Sequence, residues 1–232
     1  STDRTVEVAR QLGVDHIVGH VANKGLAMAF RTGLDASLKL GADIIVNSDA
    51  DNQYPGAEIA RLIEPVVQGK ADIVIGDRQV GTIEHFSLQK KILQWFGSLV
   101  VRMVSDTNVS DAPSGFRAFS REAALRLTVF TQYTYTLETI VQAGKKNLII
   151  AEIPITTGPQ TRESRLMPDK WTYVRNSVGT ILKLYALYEP LRTFFYISIP
   201  FLLGGGGLIA RFLYLYFTSQ TGVGRYVQSV VI

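Results

Sequence analysis

Residues 44–55 read IIVNSDADNQYP, a short apolar run that ends in two aspartates and, four residues later, a proline. The run Ile44 to Val46 is β-branched and bounded by turn-forming residues, which predicts a buried strand. Asp49 and Asp51 follow it directly. They point the same way if the chain stays extended, and they flank a tight turn if it does not. Either arrangement presents carboxylate oxygens to one hard cation, Mg²⁺ or Mn²⁺.

The two aspartates also have a purely structural interpretation. Asp51 lies four residues before Pro55, so it could cap a helix that begins at residue 56. Their position at the end of an apolar strand favours the metal-binding interpretation. The task of such a site would be to hold a diphosphate and stabilise the charge that grows on it as it leaves.

The chain around this stretch alternates between helical and strand-like periodicity, which predicts an α/β fold with a mostly parallel sheet and flanking helices. Ligands in such folds bind outside the carboxyl ends of the strands, where the two aspartates stand. The predicted helices are 3–12, 24–39, 56–68 and 88–104, and the predicted strands are 16–18, 44–46 and 73–75. Residues 105–155 are less regular, with a turn-rich DAPSGFRAF, a helix near 135–144 and a strand within LIIAEIPI.

Composition excludes several kinds of site. The 232 residues contain no cysteine, so a disulfide scaffold, a thiolate zinc site and a cysteine nucleophile are all ruled out. The three histidines have no metal-ligand spacing among themselves. A net charge of +4 suits nucleic acid, an anionic membrane or a phosphorylated substrate, and charge alone does not choose among them.

The C-terminal part predicts a membrane anchor. No residue from Thr193 to Ala210 is charged, and FLYLYF follows Arg211, which together approach the length that crosses hydrocarbon. Glycines 204–207 weaken a soluble helix and are better tolerated in a membrane, so a buried core helix is the less favoured alternative. We expect a transmembrane helix at 193–217 and a loop with the start of a second span at 218–232. The serine start and the interrupted apolar pattern after Val227 predict truncation at both ends.

Charge asymmetry predicts the orientation of this anchor. Four basic residues precede the first span and one, Arg225, follows it; the four are Lys170, Arg175, Lys183 and Arg192. The positive-inside rule then places the α/β domain in the cytoplasm, on a multi-pass protein of the cell membrane. Residues 161–192 form a basic membrane-proximal segment, and a helix at 168–189 either lies on the membrane or packs on the domain.

Six separated stretches resemble one family. They are STDRT (1–5), NKGLAMAFRTGL (23–34), DADNQYP (49–55), IVIGDR (73–78), DAPSGFRAF (111–119) and TRESRL (161–166). In this order they resemble the family-2 inverting glycosyltransferases with the GT-A fold, and most closely the polyprenyl-phosphate (dolichyl-phosphate) sugar transferases. The resemblance implies a catalytic GT-A domain at 1–160 that lacks the family's first strand.

The resemblance also implies roles for residues. Asp49, Asp51 and Gln53 would bind the metal, and Asp49, Asp51, Asp111 and Arg117 would be catalytic. The donor nucleotide sugar would contact Asp3, Asn23, Lys24, Gly25, Asp49 and Asp51. Two of these assignments have structural alternatives, since Asp3 could cap the first helix and residues 23–25 could be a plain helix N-terminus.

The acceptor can be argued from chemistry. A hydroxyl acceptor needs a base, whereas a polyprenyl phosphate is already an anion and needs cations to guide it. The segments that resemble the family's lipid-phosphate regions supply such groups: Arg78, Lys90, Lys91, Ser114, Arg117, Arg162, Ser164 and Arg165. A solvated basic face is the alternative for some of them. Asp111 either orients Arg117, which we favour, or acts as a base.

The sequence therefore predicts a membrane-anchored enzyme that moves a sugar from a nucleotide sugar to a polyprenyl phosphate with inversion. A hydroxyl acceptor on a glycolipid or cell-envelope glycan, with Asp111 as base, is the alternative. A non-catalytic scaffold or sensor is a third hypothesis, and a homo-oligomer is left open. We expect no nucleic-acid partner, because the basic residues are scattered and not interleaved with aromatics.

Overall fold

The computed structural model describes residues 3–79, 98–99, 101–102, 104–130, 135–158, 178–179, 182–183 and 185–218. The chain divides into two compact units, Ser1–Leu184 and Tyr185–Ile232. Their boundary falls inside the segment 161–192 that the sequence predicts to be membrane-proximal.

The first unit interleaves helices and strands as the periodicity predicts. Its elements are α1 (Thr5–Gln11), α2 (Leu26–Lys39), β1 (Ile44–Asn47), α3 (Glu58–Val67), β2 (Ile73–Asp77), β3 (Arg117–Ser120), α4 (Arg121–Arg126), α5 (Tyr135–Lys145) and β4 (Ile150–Pro154). Parts of the helix predicted at 88–104 are described, and those parts are helical. The rest of that helix lies outside the described residues.

The four described strands form one mixed sheet in the order β1-β3-β2-β4. β2 and β4 pair in parallel, while β3 runs antiparallel to both of its neighbours, β1 and β2. Three strands therefore point the same way and β3 reverses the direction between them. The α/β class and the flanking helices are as predicted, and the inserted antiparallel strand is the departure from a purely parallel sheet.

The core follows from the alternation of side chains along each strand. Ile73 and Ile75 on β2 pack with Phe119 on one face, in a cluster that includes residues from α2, α4 and α5. Val74 and Ala118 point to the opposite face, where they join Leu62 of α3. The sheet is thus covered by helices on both faces, which leaves its edges at the strand ends as the place for a ligand.

The strand predicted at residues 16–18 is wrong. Residues 16–20 have no regular structure, and Ile17 and Val18 are exposed at 39% and 57%. A strand is stable only beside a partner that takes its backbone hydrogen bonds. No strand in the described part of the chain pairs with this segment, so the β-branched run stays irregular.

The second unit contains one long apolar helix, α6 (Pro190–Thr218), of 29 residues. At about 1.5 Å per residue it is roughly 44 Å long. None of its residues is buried. Within the residues that the structure describes, it is the one helix long and apolar enough to cross a membrane.

Candidate active site at one edge of the sheet

The predicted residues meet because of the sheet topology. Asn47 at the end of β1 lies opposite Arg117 at the start of β3, and Asp77 at the end of β2 lies opposite Pro154 at the end of β4. The three strands that run together therefore end where β3 begins. Four loops emerge at this edge, namely residues 48–53, 78–79, 111–116 and 155–158.

The loop after β1 turns sharply and brings its two aspartates together. Asp51 Oδ1 accepts a hydrogen bond from the backbone N–H of Gln53 at 3.1 Å, and Asn52 between them has a left-handed φ of 60°. Loss of water raises the pKa of Asp49, and the negative charge of Asp51 raises it further, while Arg78 opposes both. Of the two arrangements that the sequence leaves open, extended or tightly turned, the structure has the turn.

This pair suits a divalent cation. Two carboxylates, with the amide oxygen of Gln53 two residues on, are hard oxygen donors, and a metal bound through so few protein ligands completes its shell with water and phosphate. Within the described residues, no group of three or more histidine, cysteine, aspartate or glutamate side chains forms a metal cage. Two carboxylates and one amide oxygen leave coordination positions open, so the chemistry of this donor set fits a metal shared with a phosphorylated ligand.

Asp111 forms a buried ion pair, but with a different arginine from the one predicted. Its Oδ2 accepts from Arg78 Nε at 2.7 Å and its Oδ1 from Arg78 Nη2 at 2.8 Å. The backbone N–H of Arg78 also donates to Oδ2 at 3.1 Å. Asp111 is 3% exposed and the Arg78 side chain 14%. The expectation that Asp111 orients Arg117 is wrong, because its carboxylate holds Arg78.

Arg117 is a structural residue. It has no exposed surface, and its guanidinium donates to the carbonyls of Ala112, Ser114 and Thr136 and to the hydroxyl of Thr139. Burial lowers the pKa of Arg117 to about 10, so the group is still charged near neutral pH. The expectation that Arg117 is catalytic and binds an acceptor phosphate does not fit this position, because the side chain is fully buried and its guanidinium makes four hydrogen bonds inside the protein.

Ser114 is likewise buried and structural. Its hydroxyl donates to the carbonyl of Gly76 at 2.6 Å, which ties the loop before β3 to β2. The expectation that this hydroxyl contacts a phosphate is corrected for the same reason as for Arg117. Both residues shape the loop 111–116, and neither presents a donor at the surface.

The predicted donor-binding residues near the N-terminus make local contacts. Asp3 Oδ1 accepts from the backbone N–H of Thr5 at 3.2 Å and from its hydroxyl at 2.5 Å, and these bonds lower the pKa of Asp3. Asn23 Oδ1 accepts from the N–H of Gly25 at 2.9 Å, and Gly25 has a left-handed φ of 83°. Lys24 between them is exposed. Residues 23–25 therefore match the structural alternative, a plain helix N-terminus, with Gly25 as the N-cap of α2. The alternative that Asp3 caps α1 is not what the structure shows, because the N-cap is Arg4 and Asp3 bonds only to Thr5 beside it.

Five of the predicted acceptor-phosphate residues cannot be placed. Lys90, Lys91, Arg162, Ser164 and Arg165 lie outside the described residues. Of the predicted cationic ligands, Arg78 is the one that the described part of the chain places at the sheet edge in partial exposure.

The structure adds three residues that the sequence analysis did not select. Asn47 Nδ2 lies 2.7 Å from both the carbonyl of Gly115 and the hydroxyl of Tyr135. Burial raises the pKa of Tyr135 to about 12. Tyr54 stacks on Phe116 with ring centroids 4.9 Å apart, and burial raises its pKa. Tyr54 lies within the quoted DADNQYP stretch, but Asn47 and Tyr135 are 88 residues apart and no local pattern links them.

A family model describes the N-terminal half. The model of glycosyl transferase family 2 matches residues 1–128, more than half of the chain. This match contains β1, β2 and β3 with the loops that hold Asp49, Asp51, Arg78 and Asp111.

Two curated relatives extend the comparison. One is a UDP-N-acetylglucosamine–dolichyl-phosphate N-acetylglucosaminyltransferase of Methanococcus voltae, 34% identical over 145 residues, covering 60% of this chain and 58% of that protein. The other is a dolichol-phosphate mannosyltransferase of Pyrococcus furiosus, 30% identical over 174 residues, covering 72% of this chain and 48% of that protein. The chain thus spans about half the length of these relatives.

A solved structure shares the fold. It is glucosyl-3-phosphoglycerate synthase from Mycobacterium tuberculosis in complex with Mn²⁺, uridine-diphosphate-glucose and glycerol 3-phosphate. The TM-score is 0.57 at 19% identity, and the alignment covers 80% of this chain and 66% of that one. At this identity the likeness shows the GT-A fold alone.

Proposed function

Because the chain belongs to glycosyl transferase family 2, we propose that it is the core of a membrane-anchored enzyme that transfers a sugar from a nucleotide-sugar donor to a polyprenyl phosphate. The attack inverts the anomeric centre in one in-line displacement. The names of the relatives from Methanococcus voltae and Pyrococcus furiosus, both dolichyl-phosphate sugar transferases, support this acceptor class. The apolar helix α6 supports a site at a membrane, where such a lipid resides.

The pairing of Asp111 with Arg78 is the observation that favours a phosphate acceptor. A hydroxyl acceptor needs a base within reach, and Asp111 is the candidate base that the sequence offers. Both of its oxygens accept charge-assisted hydrogen bonds from Arg78 at 2.7 and 2.8 Å, so both are already engaged by the guanidinium and neither is directed at an acceptor hydroxyl. A phosphate acceptor requires no base, since it is already ionised.

Arg78 is then the group that faces the acceptor. Its positive charge acts on Asp49 and Tyr54 as well as on Asp111, so it lies among the side chains of the candidate site. A guanidinium held rigidly by a carboxylate is pre-organised for phosphate oxygens. Asp111 is a positioning residue in this proposal, and its role is to fix the direction of Arg78.

Asp49, Asp51 and Gln53 would hold a Mg²⁺ or Mn²⁺ ion. When bound, the ion would stabilise the negative charge on the departing nucleoside diphosphate. The Mn²⁺ in the distant structural neighbour is consistent with this choice. The turn at Asn52 holds both aspartates in one short loop after β1, and an ion held there would also bind the diphosphate.

The test is a transfer assay with the full-length protein in detergent and Mn²⁺ or Mg²⁺. A panel of labelled nucleotide sugars is offered with a polyprenyl phosphate or with a neutral glycolipid, and label is followed into the organic extract. We expect product with the phosphate alone, loss of at least about 100-fold in Asp51→Ala, and no loss in Asp35→Ala, an exposed aspartate on α2. Transfer to the glycolipid alone would contradict the proposed acceptor.

A further inference from the structure

Gly115 occupies a position where space, and not backbone conformation, requires a glycine. A Cβ at this position would lie 2.9 Å from Asp49 Oδ2 and 3.2 Å from the hydroxyl of Tyr135. The φ angle of Gly115 lies outside the left-handed region, so any residue could adopt its backbone conformation. The side chain is absent because the carboxylate of Asp49 rests against the Gly115 backbone.

The backbone of Gly115 is itself held from both sides of the site. Its carbonyl accepts from Asn47 Nδ2 at 2.7 Å and from the hydroxyl of Tyr135 at 3.5 Å. Asn47 is the last residue of β1, two residues before Asp49. The ring of Tyr135 stacks on Phe30 with centroids 4.0 Å apart, which fixes the hydroxyl from the helical layer below. Gly115 is therefore attached to β1, the strand that leads into the loop of Asp49, and to α5.

We propose that Gly115, held by Asn47 and Tyr135, is a positioning residue that sets where the Asp49 carboxylate stands and thereby sets the affinity of the site for a divalent cation. The groups that contact a metal-binding carboxylate fix its orientation. In other proteins, changing such groups lowers metal affinity about 10- to 100-fold. The inference rests on the proposed function, because it assumes that Asp49 is a metal ligand. It does not depend on the identity of the donor or the acceptor.

The probe is Mn²⁺ alone, titrated into the purified full-length protein in detergent and followed by the electron paramagnetic resonance of free Mn²⁺. Gly115→Ala is compared with Gly33→Ala, because a Cβ at Gly33 on α2 meets no atom within 4 Å. We expect the dissociation constant for Mn²⁺ to rise about 10- to 100-fold in Gly115→Ala and to stay within a factor of two in Gly33→Ala. Asp49→Asn defines complete loss of the site.

A second variant protects the test against misfolding. Tyr135→Phe keeps the ring stacked on Phe30 and removes the hydroxyl that contacts Gly115 and Asn47, so we expect a folded protein with a smaller rise in the dissociation constant and a modest fall in melting temperature. Folded Gly115→Ala that binds Mn²⁺ as tightly as wild type would overturn the inference. If Gly115→Ala does not fold, a Tyr135→Phe variant that binds Mn²⁺ as tightly as the wild type would overturn the inference.

The failure of this inference is distinguishable from the failure of the proposed function. Wild-type protein that binds Mn²⁺ through Asp49 but transfers no sugar would contradict the function and leave the role of Gly115 intact. If the Asp49→Asn variant bound Mn²⁺ as tightly as the wild type, the role of Gly115 would be overturned, whatever the transfer assay shows.

Discussion

At the scale of single residues, the buried ion pair between Asp111 and Arg78 is the feature of the sheet edge with the clearest consequence. Asp111 is 3% exposed and Arg78 14%, and removing one partner of such a buried pair leaves the other charge uncompensated. The pair thus fixes the direction of the arginine and engages both oxygens of the aspartate. If Asp111 only positions Arg78, its substitution should change the KM for the acceptor more than kcat.

We expect Asp111→Asn to raise the KM for polyprenyl phosphate about tenfold, which corresponds to the loss of one charge-assisted hydrogen bond. The kcat at saturating acceptor and the shape of the pH profile should change little, because no proton passes through this carboxylate. Steady-state kinetics across pH measures both quantities, with Asp35→Asn as the matched control. A fall in kcat of about 10²- to 10⁴-fold, with loss of one limb of the pH profile, would instead identify a base.

The sequence places Asp49 and Asp51 in a loop directly after a strand, and this placement is correct because an apolar run followed by turn-forming residues is a local signal. The partner of Asp111 could not be predicted in the same way, since Arg78 is 33 residues away and comes close only through the β2–β3 pairing. Arg117 shows the opposite error. Its position after a glycine turn resembles a ligand-binding loop, but it starts β3 and faces the core.

At the level of helices and strands, the exit of β4 is attached to the start of α3. The hydroxyl of Thr156 donates to Glu58 Oε1 at 2.7 Å, and Arg61 donates to the carbonyl of Pro154 at 3.2 Å. The N–H of Gly158 donates to the carbonyl of Gln53 at 2.8 Å. These contacts join the loop of Asp51 to the segment that leaves the sheet.

Thr156→Val should weaken this attachment in a pH-dependent way. The Thr156 hydrogen bond is the main reason that the pKa of Glu58 is lowered, with the charge of Arg61 contributing. A lowered native pKa stabilises the fold above the ordinary pKa of glutamate, and this stability is lost as the pH falls through the native value. We expect a loss of about 1 kcal/mol at pH 7 that shrinks toward pH 4.

Thermal unfolding of the two proteins in detergent at both pH values measures this difference. Thr157→Val, the neighbouring position, is the matched control. A destabilisation of the same size at pH 4 and pH 7 would show that the ionised Glu58 is not the partner that matters.

The elements themselves were predictable where the periodicity is long, as in α2 and α5, and where an apolar run is bounded by turns, as in β1 and β2. β3 and α4 were not predicted because a four-residue strand followed at once by a six-residue helix shows no repeating pattern. At residues 16–18 the sequence predicts a strand where none forms. A β-branched run favours a strand only when a neighbouring strand can pair with it.

For the molecule as a whole, α6 is long and apolar enough to cross a membrane. The uncharged run from Thr193 to Ala210 is about 27 Å long as a helix, close to the roughly 30 Å of bilayer hydrocarbon. In a membrane-spanning α6, Arg211 would lie near the far interface, where a long basic side chain reaches the headgroups. Tyr214 and Tyr216 would follow in the region that favours aromatic residues.

We propose that the first unit faces the cytoplasm, because Lys183 and Arg192 precede this run on the side of the first unit and basic residues concentrate on the cytoplasmic side. The absence of cysteine from these 232 residues makes the orientation measurable by single-cysteine labelling. We expect a membrane-impermeant maleimide to label Thr218→Cys in intact cells and to label Asp15→Cys, an exposed position in the first unit, after permeabilisation only. The reverse pattern would place the first unit outside the cell. Protection of both positions in intact cells would contradict a membrane-crossing α6, and the site would then have to reach its lipid by surface association alone.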